Sequence, residues 1–367
     1  MNYSYWELKS WFSNVDFAII GSGIVGLSTA LHLKEKHPKS KILILEKGQL
    51  PNGASTKNAG FACFGSLSEI SSDLKSHSIQ EVIELVEKRW NGLSLLRQTL
   101  GDINIGFEQL GGYELFNSTS DLFEKTVPKM AEVNQYLQSI FNDEVFSIQE
   151  NKFGFSQINQ QVIFNKFEGQ IDTGLMMESL LQKVQSLGIK ILNNTDVSYI
   201  DDFGTVQIGD NFSFQADKII IATNGFANQL LDENIEPARA QVLITEPIEN
   251  LKIKGTFHLD EGYYYFRNVD DRILLGGGRN LDFKREETTE FGLTQIVQNK
   301  LEEILKTTIL PNKKVEIAHR WSGIMGVGEQ KKAVVKQISN NVYCGVRLGG
   351  MGVAIGSMIG KELSELM

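Results

Sequence analysis

The feature that most constrains this chain is GSGIVG at 21–26, set between an apolar, β-branched run at 15–20 and a helical pattern at 24–36. Each glycine of such a strand–turn–helix has a separate physical job. Gly21 permits the tight turn, Gly23 lets a diphosphate approach the backbone, and Gly26 lets helix and strand pack closely. The turn residues Ser22 and Ile24 stand at a helix start, where unpaired N–H groups and the positive end of the dipole favour an anion. Leu27, Ala30, Leu31 and Lys34 recur at spacings of three and four, and a second buried strand is expected at 42–45. Glu46 ends that strand twenty residues after Gly26. An acid there accepts hydrogen bonds from ribose hydroxyls and repels a 2′-phosphate, which disfavours NADP and leaves NAD and FAD open.

The next segment separates those two. After Glu46 and Lys47 comes GASTKNAGFACFG at 53–65, where an NAD-binding unit more usually runs straight into its next helix. Small side chains let backbone lie against a flat ring, Ser55 and Thr56 reach toward phosphate oxygens, and Lys57 suits an anionic diphosphate. FAD is the better match. Cys63 either faces the flavin or packs as a small buried side chain.

Composition narrows the partners. A chain of 367 residues suits two or three domains, and its net charge of −9 repels nucleic acid and anionic lipid. The two cysteines, 281 positions apart, form neither a disulfide framework nor a metal-ligand grouping, so no metal is expected and a reducing compartment fits. The stretch 17–33 lacks acidic, Lys and Arg residues, but its glycines and the absence of a basic leader argue against a membrane span or a signal peptide. The expected location is cytoplasmic.

The βαβ opening implies an α/β fold with parallel strands covered by helices. Further helices are expected at 175–187 and 353–366, and strands at 189–192, 218–222 and 342–345. Segments 78–100 (helix), 107–116 (strand) and 263–275 (hairpin turning at Asp270 and Asp271) have a different rhythm and imply a second domain with an antiparallel sheet. The expected division is 1–75, 165–235 and 312–367 for the Rossmann-like nucleotide domain, with 76–164 and 236–311 for the substrate domain.

Five motifs in order, Glu46-Lys47, GAS..NAG, ATNG at 222–225, HRWSGI at 319–324 and VRLGGMGVAIG at 346–356, resemble the D-amino-acid-oxidase-type flavoproteins, which include glycine, sarcosine and γ-glutamylputrescine oxidases. The resemblance runs from Asp16 to the C-terminus and implies extended FAD with its flavin at a domain boundary. It assigns Gly21, Ser22, Gly23 and Gly26 to the diphosphate, Glu46 to the ribose and the Val197 backbone to adenine. Ala54, Ser55, Thr56, Asn58, Ala59 and Gly60 would line diphosphate and flavin, joined by Ala222, Thr223, Gly225 and Gly323 from the matching motifs. Arg347, Leu348, Gly349, Gly350, Met351 and Gly352 would close on the flavin's pyrimidine end, offering N–H groups at a helix start to the charge that arrives with hydride.

For the reacting face the resemblance nominates Tyr263, Tyr265, Arg267, Arg320, Trp321 and Arg347, with Arg279 as a further arginine. Arginines there would clamp a carboxylate, and tyrosines would stack on or hydrogen-bond an amine. Met325 and Gly326 stand where covalent relatives carry their flavin-linking cysteine, so the implied FAD is non-covalent. Leu274 falls near the position of the relatives' oxygen-activating lysine, and Met325 near that of the carboxylate-binding arginine. The implied activity is oxidation of a small amine or amino acid, with dioxygen or an electron carrier as acceptor. The alternatives are a 2-hydroxy-acid dehydrogenase of the same fold and a flavoprotein subunit working with a protein partner.

Overall fold

The computed structural model describes residues 2–367. Val15–Ile20 lies at the centre of an eight-stranded sheet, flanked in parallel by Ile42–Leu45 and Phe212–Ile221. Lys190–Leu192 and Val342–Val346 extend the parallel array on its two sides. Val334–Gln337 adds an antiparallel edge, and Val197–Ile200 and Thr205–Ile208 form an antiparallel flap on Phe212–Ile221. The runs VDFAII and ILIL are almost wholly buried because helices cover the sheet, which is why they read as unbroken apolar stretches.

The covering helices are Ile24–Lys36, Gly352–Glu365, Thr173–Ser186 and the long Ile79–Leu100. Close approach between them rests on glycine. A Cβ at Gly356 would stand 2.6 Å from Ile24 Cγ2, and one at Gly360 would stand 2.5 Å from Ser28 Cβ. Gly92 does the same for Ile79–Leu100, since its Cβ would meet the Ala354 carbonyl at 2.2 Å.

A second eight-stranded sheet runs in the order Ile317–Val327, Glu236–Thr245, Arg272–Gly277, Tyr264–Val269, Thr256–Leu259, Gly112–Leu115, Gln161–Asn165, Phe146–Glu150. All neighbours are antiparallel except Thr256–Leu259 with Gly112–Leu115. The expected hairpin is present, with its turn at Asp270 in the left-handed region at φ +49°. The strand expected over 107–116 shrinks to Gly112–Leu115, because Glu108 is drawn away into an isolated bridge with Gln170. One expected boundary is also displaced. Ile317–Val327 pairs along its length with Glu236–Thr245, so this strand goes with the second sheet and not with the nucleotide sheet.

Ile79–Leu100 contributes to two cores. Leu93, Leu96 and Leu100 join the core under the parallel sheet, while Val82 and Val86 pack with Phe64, Leu67 and Phe146. In the second sheet, Glu286 takes hydrogen bonds from Arg239 Nε at 2.8 Å, Gln241 Nε2 at 2.9 Å and the Thr294 hydroxyl at 2.7 Å, tying the 282–294 segment to its strand. No described helix is long and apolar enough to cross a membrane.

Candidate active site

A cavity of about 740 Å³ runs from the glycine turn after Val15–Ile20 to the face of the second sheet. At its first end Gly21 adopts φ +103°, and a Cβ there would meet the Ala222 carbonyl at 2.8 Å. Gly26 has the packing role read from the sequence, with its Cβ position 2.0 Å from the Gly21 carbonyl oxygen. Glu46 reaches the cavity while accepting from the Ser22 N–H at 3.1 Å, the Ser22 hydroxyl at 2.6 Å and the Gly48 N–H at 2.9 Å. Ser22 is therefore a support for Glu46 and does not itself line the cavity, a correction to its expected contact. Val197 lines this end beside Thr195 and Asp196.

Further along, Ser55 Oγ accepts from Ile24 N–H at 3.0 Å, so the loop at 53–60 is fastened to the helix start. Lys47, Ala54, Asn58, Ala59 and Gly60 line the wall. Asn58 pins the loop, donating to Ser55 O at 2.8 Å and accepting from Gly60 N–H at 2.9 Å. The Thr56 hydroxyl is spent on the Pro51 and Gly53 carbonyls and is not free for a phosphate. Ala222 and Thr223 line the cavity, whereas Gly225 lets Met325 O approach, its Cβ position lying 2.5 Å from that oxygen. Asn224, unmarked in the sequence reading, joins two loops by accepting from Arg347 N–H and Leu348 N–H.

The far end is built by Phe61, Cys63, Glu69, His258, Tyr263 and Tyr265, with Gly323 and Leu348 to Gly352 opposite. Burial pushes the Tyr265 phenol up to about 12 and the Cys63 thiol well up, so both stay protonated. Three expected arginines are absent from the wall. Arg267 gives its guanidinium to the carbonyls of Ala59, Ile171 and Asn268, and although burial brings it down to about 10 it remains charged. Arg320 faces the opposite side of its strand from Trp321 and Gly323, bonding Gln298 and Glu302 at 2.6 Å each. Arg347, in a left-handed turn at φ +62°, donates to Lys332 O and Asn234 O. Trp321 is likewise a brace, giving its indole N–H to Lys57 O at 3.0 Å. Arg279 does line the cavity, with its guanidinium 4.8 Å over the Phe283 ring.

The model of the FAD dependent oxidoreductase (DAO) family matches residues 16–366. The chain is an FAD-dependent oxidoreductase of that family. A probable oxidoreductase, OrdL, of Haemophilus influenzae is 20% identical over 96% of this chain and 82% of its own. The gamma-glutamylputrescine oxidoreductase of Escherichia coli is 23% identical over 96% of this chain and 83% of its own. Among solved structures, the L-proline dehydrogenase from P. horikoshii superposes with a TM-score of 0.75 at 17% identity, covering 96% of this chain and 93% of that one.

The oxidoreductase's residues fit its cofactor. Gly349 and Gly352 are not packing glycines, since their Cβ positions have nothing nearer than 4.0 and 3.7 Å, whereas Gly356 and Gly360 in the same helix are tightly opposed. Backbone at Gly349 and Gly352 is thus left uncovered at the cavity wall, where a planar ring would lie against it, while a Cβ at Gly350 would stand 3.3 Å from Met325 Sδ. Phe61, Glu69, His258 and Glu261 also line the oxidoreductase's cavity without having been singled out from the sequence. His258 gave no local signal, because its partner Glu168 lies 90 positions away. Burial lifts Glu114, beneath this end of the cavity, to about 7 against bonds from Ser66 and Ser68.

Proposed function

We propose that this oxidoreductase binds FAD non-covalently and oxidises a small amine or amino acid at the carbon beside nitrogen, leaving an imine that water hydrolyses. The supporting observation is the single cavity that joins the acid at Glu46, the glycine turn and the uncovered backbone at Gly349 and Gly352 to an end walled by Phe61 and Tyr265. When bound, the flavin supplies the two-electron acceptor for the hydride. The chain's own residues position and desolvate. Gly21, Gly23 and the start of Ile24–Lys36 would hold the diphosphate, and Glu46 would hold the ribose. Leu348 to Gly352 would hold the pyrimidine end, and the start of the Gly352–Glu365 helix would favour negative charge there. Tyr265 and Phe61 exclude water from the reacting end, which favours the unprotonated amine. Non-covalent attachment rests on Met325 and Gly326 at the linking position and on the protonated Cys63 thiol. The names borne by the Escherichia coli and P. horikoshii relatives agree with amine chemistry.

The test is anaerobic mixing of the purified yellow protein with amines, amino acids and 2-hydroxy acids, following bleaching of flavin absorbance. Bleaching by an amine or amino acid is expected, with flavin released intact on acid precipitation. Bleaching by 2-hydroxy acids alone would overturn the reading in favour of the dehydrogenase alternative. Reduction only by a copurifying protein would favour a subunit role. Admitting air to the reduced protein then distinguishes dioxygen from a carrier as acceptor.

A further inference from the structure

Cys63, Glu168 and His258 come from three distant segments and meet at one point. The short ribbon of Phe61–Ala62 with Gly169–Gln170 is antiparallel and sets Ala62 opposite Gly169, so one step further along Cys63 faces Glu168. His258 belongs to Thr256–Leu259, where Thr256, two residues earlier, shares its face. Both reach the same acid. The Thr256 hydroxyl donates to Glu168 Oε1 at 2.8 Å, and His258 Nε2 meets that oxygen at 2.5 Å. One ligand atom from each of Cys63, Glu168 and His258 thus lies within 4.8 Å of the other two.

All three are nearly sealed, at 7%, 1% and 6% exposure, yet Cys63 and His258 border the cavity while Glu168 stands behind them. Around them Glu69 and Glu114 add negative charge, opposed by the Arg89 guanidinium, which donates to Phe64 O at 2.8 Å. Such surroundings repel an anion and favour a cation. The donor set says which kind. Thiolate sulfur, imidazole nitrogen and carboxylate oxygen together suit zinc, whereas magnesium and calcium take oxygen alone. A divalent ion with one thiolate, one carboxylate and a neutral ring also sums to zero charge, the least costly content for a buried site. Tetrahedral bonds of about 2.0 Å to nitrogen or oxygen and 2.3 Å to sulfur hold the donors about 3.3–3.6 Å apart, a spacing that side-chain rotation can reach from here. A void of about 10 Å³ beside Glu168 and His258 leaves the ring and carboxylate room to part.

We propose that Cys63, His258 and Glu168 form a site for a zinc-class divalent cation, with Thr256 as the positioning residue and the fourth coordination place open to the cavity. On binding, the thiol and the ring give up their protons to solvent, and the ion takes the place of the proton held between Glu168 and His258. Cys63 showed no metal-ligand spacing in the sequence because its partners come from other segments.

The experiment is equilibrium dialysis of the flavin-loaded protein against Zn²⁺, with metal read by elemental analysis and flavin by absorbance, followed by zinc X-ray absorption. One zinc per chain is expected, with one sulfur neighbour at about 2.3 Å and nitrogen or oxygen neighbours at about 2.0–2.1 Å. Excess Mg²⁺ should not displace it, as it would from a cluster of acids alone. Cys63→Ala and His258→Gln should each weaken binding about a hundredfold or more, and Thr256→Val, which only frees Glu168, about tenfold. Cys344→Ala should leave the affinity unchanged. Wild-type protein that takes up no zinc, zinc without a sulfur neighbour, displacement by Mg²⁺, or undiminished binding in Cys63→Ala would each overturn the proposal. Should His258→Gln fail to fold, Cys63→Ala, which trims one small side chain, and the sulfur neighbour in the wild type still decide.

Discussion

Glu46 is more than a ribose acceptor, because its carboxylate also satisfies the Ser22 and Gly48 N–H groups. Glu46→Ala is expected to lower flavin retention at least tenfold after dialysis and to cost about 1–3 kcal/mol of stability from the donors it strands. Undiminished flavin content with an unchanged urea midpoint would contradict both roles. Glu114 offers a sharper test. Its carboxyl moves from 4.5 to about 7 on folding, so ionising it costs stability, a cost absent below 4.5 and complete above 7. Relative to wild type, Glu114→Gln should gain about 1–3 kcal/mol between pH 5 and pH 9, read from urea midpoints at each pH. Parallel pH curves for the two proteins would refute it. Gly21 and Gly26, one in a turn and one where helix meets strand, were legible in the sequence because their offsets between strand and helix carry their own reason, whereas the close approach of Ile171 O to Gly60 was not. Arg267, Arg320 and Arg347 were not, since an arginine's partner is chosen by tertiary neighbours: here carbonyls from 59 and 171, the helix Gln295–Ile304, and the loop at 332.

At the level of elements, periodicity carried most of the information. Ile24–Lys36 and Ile42–Leu45 appear with the bounds read from apolar spacing, and the hairpin from Tyr264 to Gly277 follows alternation and a turn at two aspartates. What spacing did not reveal was sheet membership. Ile317–Val327 carries a motif that in sequence leads into the C-terminal nucleotide segment, yet hydrogen bonding assigns it to the other sheet. Two substitutions probe these elements. Gly26→Ala drives a methyl to 2.0 Å from the Gly21 carbonyl and should abolish soluble expression or lower stability by about 3 kcal/mol or more, measured by thermal unfolding. Glu286→Ala strips a buried guanidinium of its carboxylate and should cost about 3–5 kcal/mol, with Glu286→Gln less harmful because Gln241 and Thr294 still find a carbonyl. Equal midpoints for Glu286→Ala and wild type would show that Arg239 finds another partner.

For the molecule as a whole, cofactor and fold are linked, because the cavity takes its walls from both sheets. Flavin at about a hundred times its dissociation constant should add about 2.7 kcal/mol, so stripped protein should melt lower and recover when FAD is returned. An identical melting temperature with and without added FAD would break that link. Ile79–Leu100, at about 1.5 Å per residue, is a rod of about 33 Å with one half embedded in each core. A beam held at both ends resists a rotation that would part the two cores. Thr289 and Phe291 both line the cavity and stand exposed, so the rim there is set by side chains that neither core holds.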